Sequence, residues 1–198
     1  MAELEKEKYI EVPNVLSEQT SALLFDYLKF SFEQFKAVKE NANTLYDAHS
    51  HGFWDETQSR KIYSKYGDSM FDMLMLILKD RIEKESKLSL VPTYSYSRLY
   101  VYGCDLLRHT DRHSCEISVT LCLGHVGEKW PIFIGGNPLH MNPGDMVIYR
   151  GCDVEHWREP FQGEVHGQVF LHYNDAKGQY GSKNLYDNRP FLGLPSRK

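Results

Sequence analysis

From Leu88 to Tyr173 the chain is a succession of short strand-like runs with no helical pattern between them, and this limits the fold more than any other feature. Tyr94, Tyr96, Leu99, Tyr100, Val101 and Tyr102 fill the first run, and Glu116–Leu123 alternates strictly between side-chain classes. Trp130–Ile134 follows a turn at 124–129, Asp145–Tyr149 follows Asn142-Pro143-Gly144, and Gln168–Tyr173 closes the series. Aromatic and β-branched residues at period two, bounded by Gly and Pro, make strands. Strands joined by turns rather than helices make an antiparallel barrel or sandwich.

The first part of the chain reads differently. Residues 9–15 alternate weakly and predict a short edge strand ended by Pro13. Ser17 stands as an N-cap before Ala22, Leu23, Leu24, Tyr27 and Leu28, which predicts an amphipathic helix to about Glu40. A second helical period runs from Asp68 to about Lys87 through Met70, Phe71, Leu74, Ile77, Leu78 and Ile82. Between them the polar stretch 41–60 carries His49, His51, Phe53 and Trp54, suiting a lid over a pocket. The expected plan is one domain: helical support and lid loop over 1–90, β core over 91–175, and a tail over 176–198 whose Phe191, Leu192 and Leu194 fold back.

A chain of 198 residues can bury a real core as a single domain. Its net charge of -4 argues against a nucleic-acid surface, which needs a basic face. With no apolar run of membrane-spanning length and a charged start at Glu3, Glu5 and Lys6, the expectation is a cytoplasmic protein without membrane association. The four cysteines, Cys104, Cys115, Cys122 and Cys152, have no CxxC spacing and are expected as free thiols. The expected partner is a small-molecule or peptide substrate; oligomeric state is not written in the sequence.

The chemistry concentrates at Arg108-His109-Thr110-Asp111-Arg112, where a strand-like run ends. Residues i and i+2 of a strand point the same way, so His109 and Asp111 can converge on one point. An imidazole and a carboxylate suit a divalent first-row metal, and His156 is the best third ligand; two histidines and one carboxylate with open positions is the facial set of non-haem Fe(II) oxygenases. The His-x-His at His49 and His51 lacks further ligands nearby and ranks below it. Forty-seven positions separate His109 from His156, so a closed or doubled sheet must bring them together.

The ordered set of Tyr100-Val-Tyr-Gly103, then His109-x-Asp111, then Gly144-Asp145 before an apolar strand and the distal His156 resembles the Fe(II)/2-oxoglutarate-dependent oxygenases, most closely their prolyl-4-hydroxylase-like branch. The resemblance covers roughly residues 94–173. It implies a double-stranded β-helix (jelly-roll, cupin-like) core on N-terminal helices. It also implies iron on His109, Asp111 and His156, and three open positions for the keto acid and dioxygen. The implied reaction decarboxylates 2-oxoglutarate to succinate and CO2 and hydroxylates an aliphatic C–H of a peptidyl or free amino acid or another small molecule. Ascorbate is a further candidate cofactor. Related halogenases lack the carboxylate, so Asp111 favours hydroxylation.

One departure stands out. The family usually places Lys or Arg about ten residues past the distal histidine, against the far carboxylate of the keto acid; this chain has His166, with Gln168 beyond it. Tyr100 with His166, then Arg158, are the candidates for that role. For Arg158 a salt bridge with Glu155 or Glu159 is the competing assignment, and Arg98, Arg112 or Lys129 can also reach in from neighbouring strands. Two other readings stay open: a cupin-like metal dioxygenase that uses no keto acid, and a non-catalytic metal- or ligand-binding barrel.

Overall fold

The computed structural model describes residues 3–41, 43–57 and 61–195. In chain order the elements are α1 (Glu3–Glu7), β1 (Tyr9–Val12), α2 (Glu18–Glu40), α3 (Ala48–His51), β2 (Phe53–Asp55), β3 (Ile62–Tyr66) and α4 (Ser69–Ser86). There follow β4 (Leu90–Val101), β5 (Leu106–His109), β6 (Ile117–Val126), β7 (Ile132–Ile134), β8 (Asn137–Leu139), β9 (Met146–Tyr149), β10 (His156–Arg158) and β11 (Val165–Asp175). Short 3-10 turns occupy His113–Cys115 and Gly181–Asn188.

Eight of these strands form a double-stranded β-helix. One sheet holds β9-β6-β11-β4 and the other β5-β10-β7-β8, with antiparallel pairing throughout. The first sheet is widened by β1 at one edge and by β3 and β2 at the other. The support expected over 1–90 therefore contributes three strands as well as helices.

The two long helices form where the caps and periodicity place them. The Ser17 side chain accepts from the Thr20 amide to start α2, and Asp68 accepts from the Met70 and Phe71 amides to start α4. Lys87, in the left-handed region, ends α4. Their apolar faces, with Leu24, Phe25, Leu28, Phe71, Met75 and Leu78, pack on the outward side chains of β6, β9 and β11, including Leu121, Ile148, Val169 and Leu171. Burying each such side chain stabilises the fold by about 1.5–3 kcal/mol. At Gly167 the Phe25 ring lies where a Cβ would sit, 2.5 Å from its nearest atom, so the helix approaches the sheet backbone directly.

Period two then assigns the opposite face of β11, His166, Gln168, Phe170 and His172, to the interior between the sheets. On β4 the facing set is Arg98 and Tyr100 with Tyr94 and Tyr96, in the register Tyr100↔His166 and Arg98↔Gln168. The tail does fold back: Leu192 is buried in the main core, while Phe191 and Leu194 stay exposed. No helix among the described residues is long and apolar enough to cross a membrane.

Candidate metal centre

Pairing of β5 with β10 brings the two distant histidines together, His109 directly opposite His156. Asp111, just past the end of β5, is held by its amide to the Gly151 carbonyl at 2.8 Å. The ligating atoms of His109, Asp111 and His156 all lie within 4.8 Å of one another. Nε2 of His156 is 3.5 Å and Nε2 of His109 is 3.7 Å from Asp111 Oδ1.

Both rings are fixed in the same way. Nδ1 of His109 donates to the Leu107 carbonyl at 2.6 Å, and Nδ1 of His156 donates to the Val154 carbonyl at 3.1 Å. A carbonyl only accepts, so each Nδ1 carries the hydrogen and each Nε2 presents a lone pair toward Asp111. Such backbone-held imidazoles are the usual partners of a ligated metal. Burial and the neighbouring His156 hold the pKa of His109 below the ordinary imidazole value, which keeps that lone pair free near neutral pH.

The carboxylate has its own support. Burial raises the pKa of Asp111, but the pull of His156 and His172 when they are protonated, with the Ser118 hydrogen bond, outweighs it and holds the carboxyl below its ordinary value. Ser118 Oγ donates to Asp111 Oδ2 at 2.7 Å. With that hydrogen committed, Nδ1 of His172 is the donor to Ser118 Oγ at 3.0 Å. A relay His172 to Ser118 to Asp111 therefore leaves Oδ1 as the outward oxygen. Gly151 makes the arrangement possible, since a Cβ there would lie 2.7 Å from Ser118 Oγ and closer still to Asp111 Oδ2 and the Cys115 carbonyl.

Three donors converge and the fourth side is a cavity of about 530 Å³, lined by the three ligands together with Tyr94, Tyr96, Arg98, Phe53 and Phe170 among others. That volume is within the range of small-molecule sites. A second cluster of potential ligands, Asp111, Cys115 and His172, shares the carboxylate. Its Cys115 contacts the Tyr94 hydroxyl at 3.0 Å, and burial pushes the thiol well up, away from the thiolate that ligation needs.

Arg158, two residues past His156 on β10, points into the same interior and is 1% exposed. It makes no salt bridge with Glu155 or Glu159; Glu155 instead pairs with Arg108 at 3.5 Å. Its Nη1 donates to the Trp130 carbonyl at 2.5 Å and its Nη2 to Gln168 Oε1 at 3.2 Å, while Nε has no partner. No carboxylate pairs with it among the described residues. Burial accordingly lowers its pKa.

His166 is also buried, and burial followed by the charge of Arg158 pushes its pKa well below the ordinary value. Because Arg158 can only donate, Gln168 Oε1 must accept, and His166 Nε2 at 2.7 Å from that oxygen must be a second donor. The Nδ1 that remains, without a partner, is a bare lone pair, the wrong polarity for a carboxylate. Tyr100 is fully buried, its ring 4.9 Å from Trp130 and 6.3 Å from His166.

Other residues singled out in the sequence divide clearly. Phe53, Phe170, His172, Arg98 and Arg112 line the cavity. Trp54 packs on Phe32 and Phe35, His49 meets the Gly193 carbonyl and His51 meets Asp47, so these three are structural. Lys129 bonds Asn142 at the surface. The lid stretch 41–60 forms α3 and β2, with 42 and 58–60 outside the described residues. The sequence reading missed the Ser118–His172 relay and Gly151. The alternation of Glu116–Leu123 placed Ser118 on one face, but nothing local signalled its partner.

No family profile and no curated protein matches the chain. Solved structures do. A prolyl-4-hydroxylase from Pseudomonas putida is 19% identical with a TM-score of 0.59, covering 87% of this chain and 95% of its own. The non-haem α-ketoglutarate-dependent epimerase SnoN from nogalamycin biosynthesis is 13% identical with a TM-score of 0.67, covering 98% and 90%. A viral collagen prolyl hydroxylase from Paramecium Bursaria Chlorella virus-1, solved with 2-oxoglutarate, is 10% identical with a TM-score of 0.60, covering 87% and 98%. The chain shares the double-stranded β-helix fold of these oxygenases.

Proposed function

We propose that this chain is an Fe(II)- and 2-oxoglutarate-dependent dioxygenase that hydroxylates an aliphatic C–H of a small molecule or of a free or peptidyl amino acid. The observation that carries this reading is the face of two Nε2 lone pairs and one carboxylate oxygen turned toward a cavity. Three protein donors with an open side suit a catalytic iron, whereas a structural site is normally closed by four. When bound, iron with the keto acid and dioxygen supplies the oxidising capacity for C–H hydroxylation, with succinate and CO2 as coproducts.

The residues of the chain do the positioning. His109, Asp111 and His156 hold the metal, and Ser118 with His172 keeps the Asp111 carboxylate turned so that Oδ1 faces it. Arg158 takes the far carboxylate of 2-oxoglutarate. A buried guanidinium with a vacant Nε–H and no anionic partner carries a desolvation cost that a ligand carboxylate relieves. Gln168, gripped by Thr120, His166 and Arg158, fixes the angle of that guanidinium. Tyr100 and His166 line the same end of the interior as walls rather than as the primary anchor. A cupin-type dioxygenase without a keto acid has no use for this buried cation.

The test is release of labelled CO2 from 2-oxoglutarate labelled at C1, with Fe(II) and oxygen, across panels of amino acids, short peptides and small acids. Wild-type protein is expected to release label, and His109→Ala, Asp111→Ala and His156→Ala to release none while remaining folded. Full turnover in any of the three would remove that residue from the metal centre.

A further inference from the structure

A buried cation on the larger sheet, distinct from Arg158, borders the cavity itself. Arg98 of β4 is 9% exposed and lines the cavity with Tyr94, Tyr96, Phe53 and Phe170. Its Nη2 donates to Asp55 Oδ2 at 2.5 Å, its Nη1 reaches the Tyr100 hydroxyl only at 3.5 Å, and its Nε is buried without a partner. Asp55 is already saturated: Oδ1 accepts from the amide and hydroxyl of Thr57, and Oδ2 accepts from Tyr96 and Arg98. Asp55 therefore acts as a bracket that aims Arg98, leaving the guanidinium with donors to spare.

The other arginine on the cavity wall is not comparable. Arg112 is committed to Asp187 through two nitrogens, at 2.7 and 3.0 Å, and to Ser114 at 3.1 Å. Among the described residues lining the cavity, Arg98 is the cation with a buried N–H that has no partner. Apart from the Asp55 bracket and the metal-binding side chains, the wall beside Arg98 is Phe53, Tyr94, Tyr96 and Phe170, so a ligand seated there would offer one anionic group and an apolar body.

We propose that Arg98 binds the carboxylate of the primary substrate, a small monocarboxylic acid with an aromatic or otherwise apolar body packed against Phe53, Tyr94, Tyr96 and Phe170. This rests on the dioxygenase reading for the site and narrows its substrate. A carboxylate fits better than a phosphate monoester because Asp55 and Asp111 already place two negative groups around the chamber, and a dianion would meet both. An internal peptide segment without an acidic side chain lacks the required charge. Division of labour follows from the two sheets: Arg158 on β10 receives the cosubstrate and Arg98 on β4 the substrate.

The experiment uses three probes of one shape on wild-type protein loaded anaerobically with Fe(II) and 2-oxoglutarate, and again on the metal-free protein. They are 3-phenylpropanoate, 3-phenylpropanamide and 2-phenylethyl phosphate, with dissociation constants taken from the concentration dependence of the melting midpoint. A charge-assisted contact replaced by a neutral one is expected to make the acid bind about tenfold or more tighter than the amide. Arg98→Gln should bring the acid down to the amide, and Arg98→Lys should restore part of the preference. Equal binding of acid and amide, tighter binding of the phosphate, or an acid preference that survives Arg98→Gln overturns the proposal. Should Arg98→Gln fail to fold, the wild-type acid-to-amide ratio decides alone. Absence of a visible iron–keto acid band in the wild type overturns the dioxygenase reading instead, and the metal-free comparison still judges Arg98.

Discussion

Substituting Gly151 by Ala tests whether the Asp111 carboxylate is placed by crowding rather than by chance. Gly151 accepts from the Asp111 amide at 2.8 Å and donates its own N–H to the Glu116 carbonyl at 3.0 Å, so its position is fixed from both sides. Its backbone lies outside the positive-φ region, so an alanine there brings no conformational strain. The whole effect comes from the new methyl, which would stand 2.7 Å from Ser118 Oγ and nearer to Asp111 Oδ2 and the Cys115 carbonyl. Two of those three neighbours are the carboxylate and the residue that orients it, and the third is rigid backbone. The carboxylate must therefore turn or retreat. Overpacking of this kind costs about 1–3 kcal/mol, and loss of an orienting contact to a metal ligand costs about 10- to 100-fold in metal affinity, or roughly 1.4–2.8 kcal/mol. Calorimetric titration with Co(II) should show a dissociation constant raised by that factor in Gly151→Ala, with the far-ultraviolet circular dichroism unchanged. A constant within about twofold of wild type in a folded variant would refute the claim that this glycine sets the ligand geometry.

Other consequences are tested separately. Arg158→Gln should raise the 2-oxoglutarate concentration needed for half-saturation by about 100-fold or more, the scale of losing a buried charge partner, while Arg158→Lys recovers part of it; an unchanged requirement would move the anchor elsewhere. His166→Ala should change that requirement much less, since its neutral ring offers the carboxylate no donor; a loss as large as that of Arg158→Gln would reverse the ranking. His172, which burial lowers from 6.5 to about 4, contributes to the pH dependence of metal-free stability, with buried His109 and His166 acting in the same direction. Between those values the unfolded chain holds a proton that the folded chain does not, so stability falls as pH drops, by about 3 kcal/mol over the window. Urea titrations at pH 7 and pH 4.5 should show about 2 kcal/mol of that loss, and His172→Gln should reduce the total by that amount; an equal loss in the variant assigns it to other groups.

Much of the core was legible because its signal is local. The alternation at Glu116–Leu123 and the Gly/Pro turns that frame Asp145–Tyr149 need no long-range information, and both become strands of the larger sheet. The i, i+2 pairing of His109 with Asp111 was equally local. What stayed hidden depends on contacts across the fold. β3 (Ile62–Tyr66) drew no assignment from the sequence; its Lys65 is buried against Asp68 at 2.5 Å, a pairing made only in the fold. Both His166, from the family offset, and Arg158, from strand parity with His156, were candidates in the sequence; the hydrogen bonds that link them through Gln168 were not. Asp187 clamps Arg112 from a run of three left-handed residues, Tyr186, Asp187 and Asn188, in a tail whose sequence signalled folding back only through Phe191, Leu192 and Leu194.

The central claim is that two imidazoles and one carboxylate hold an iron with room for a chelating keto acid. Its most direct measurement is the visible absorption of the Fe(II)-loaded protein as 2-oxoglutarate is added without oxygen. The account predicts a weak charge-transfer band that saturates, disappears in Asp111→Ala, and needs more keto acid in Arg158→Gln. Iron bound to the wild-type protein with no band at any 2-oxoglutarate concentration would contradict it.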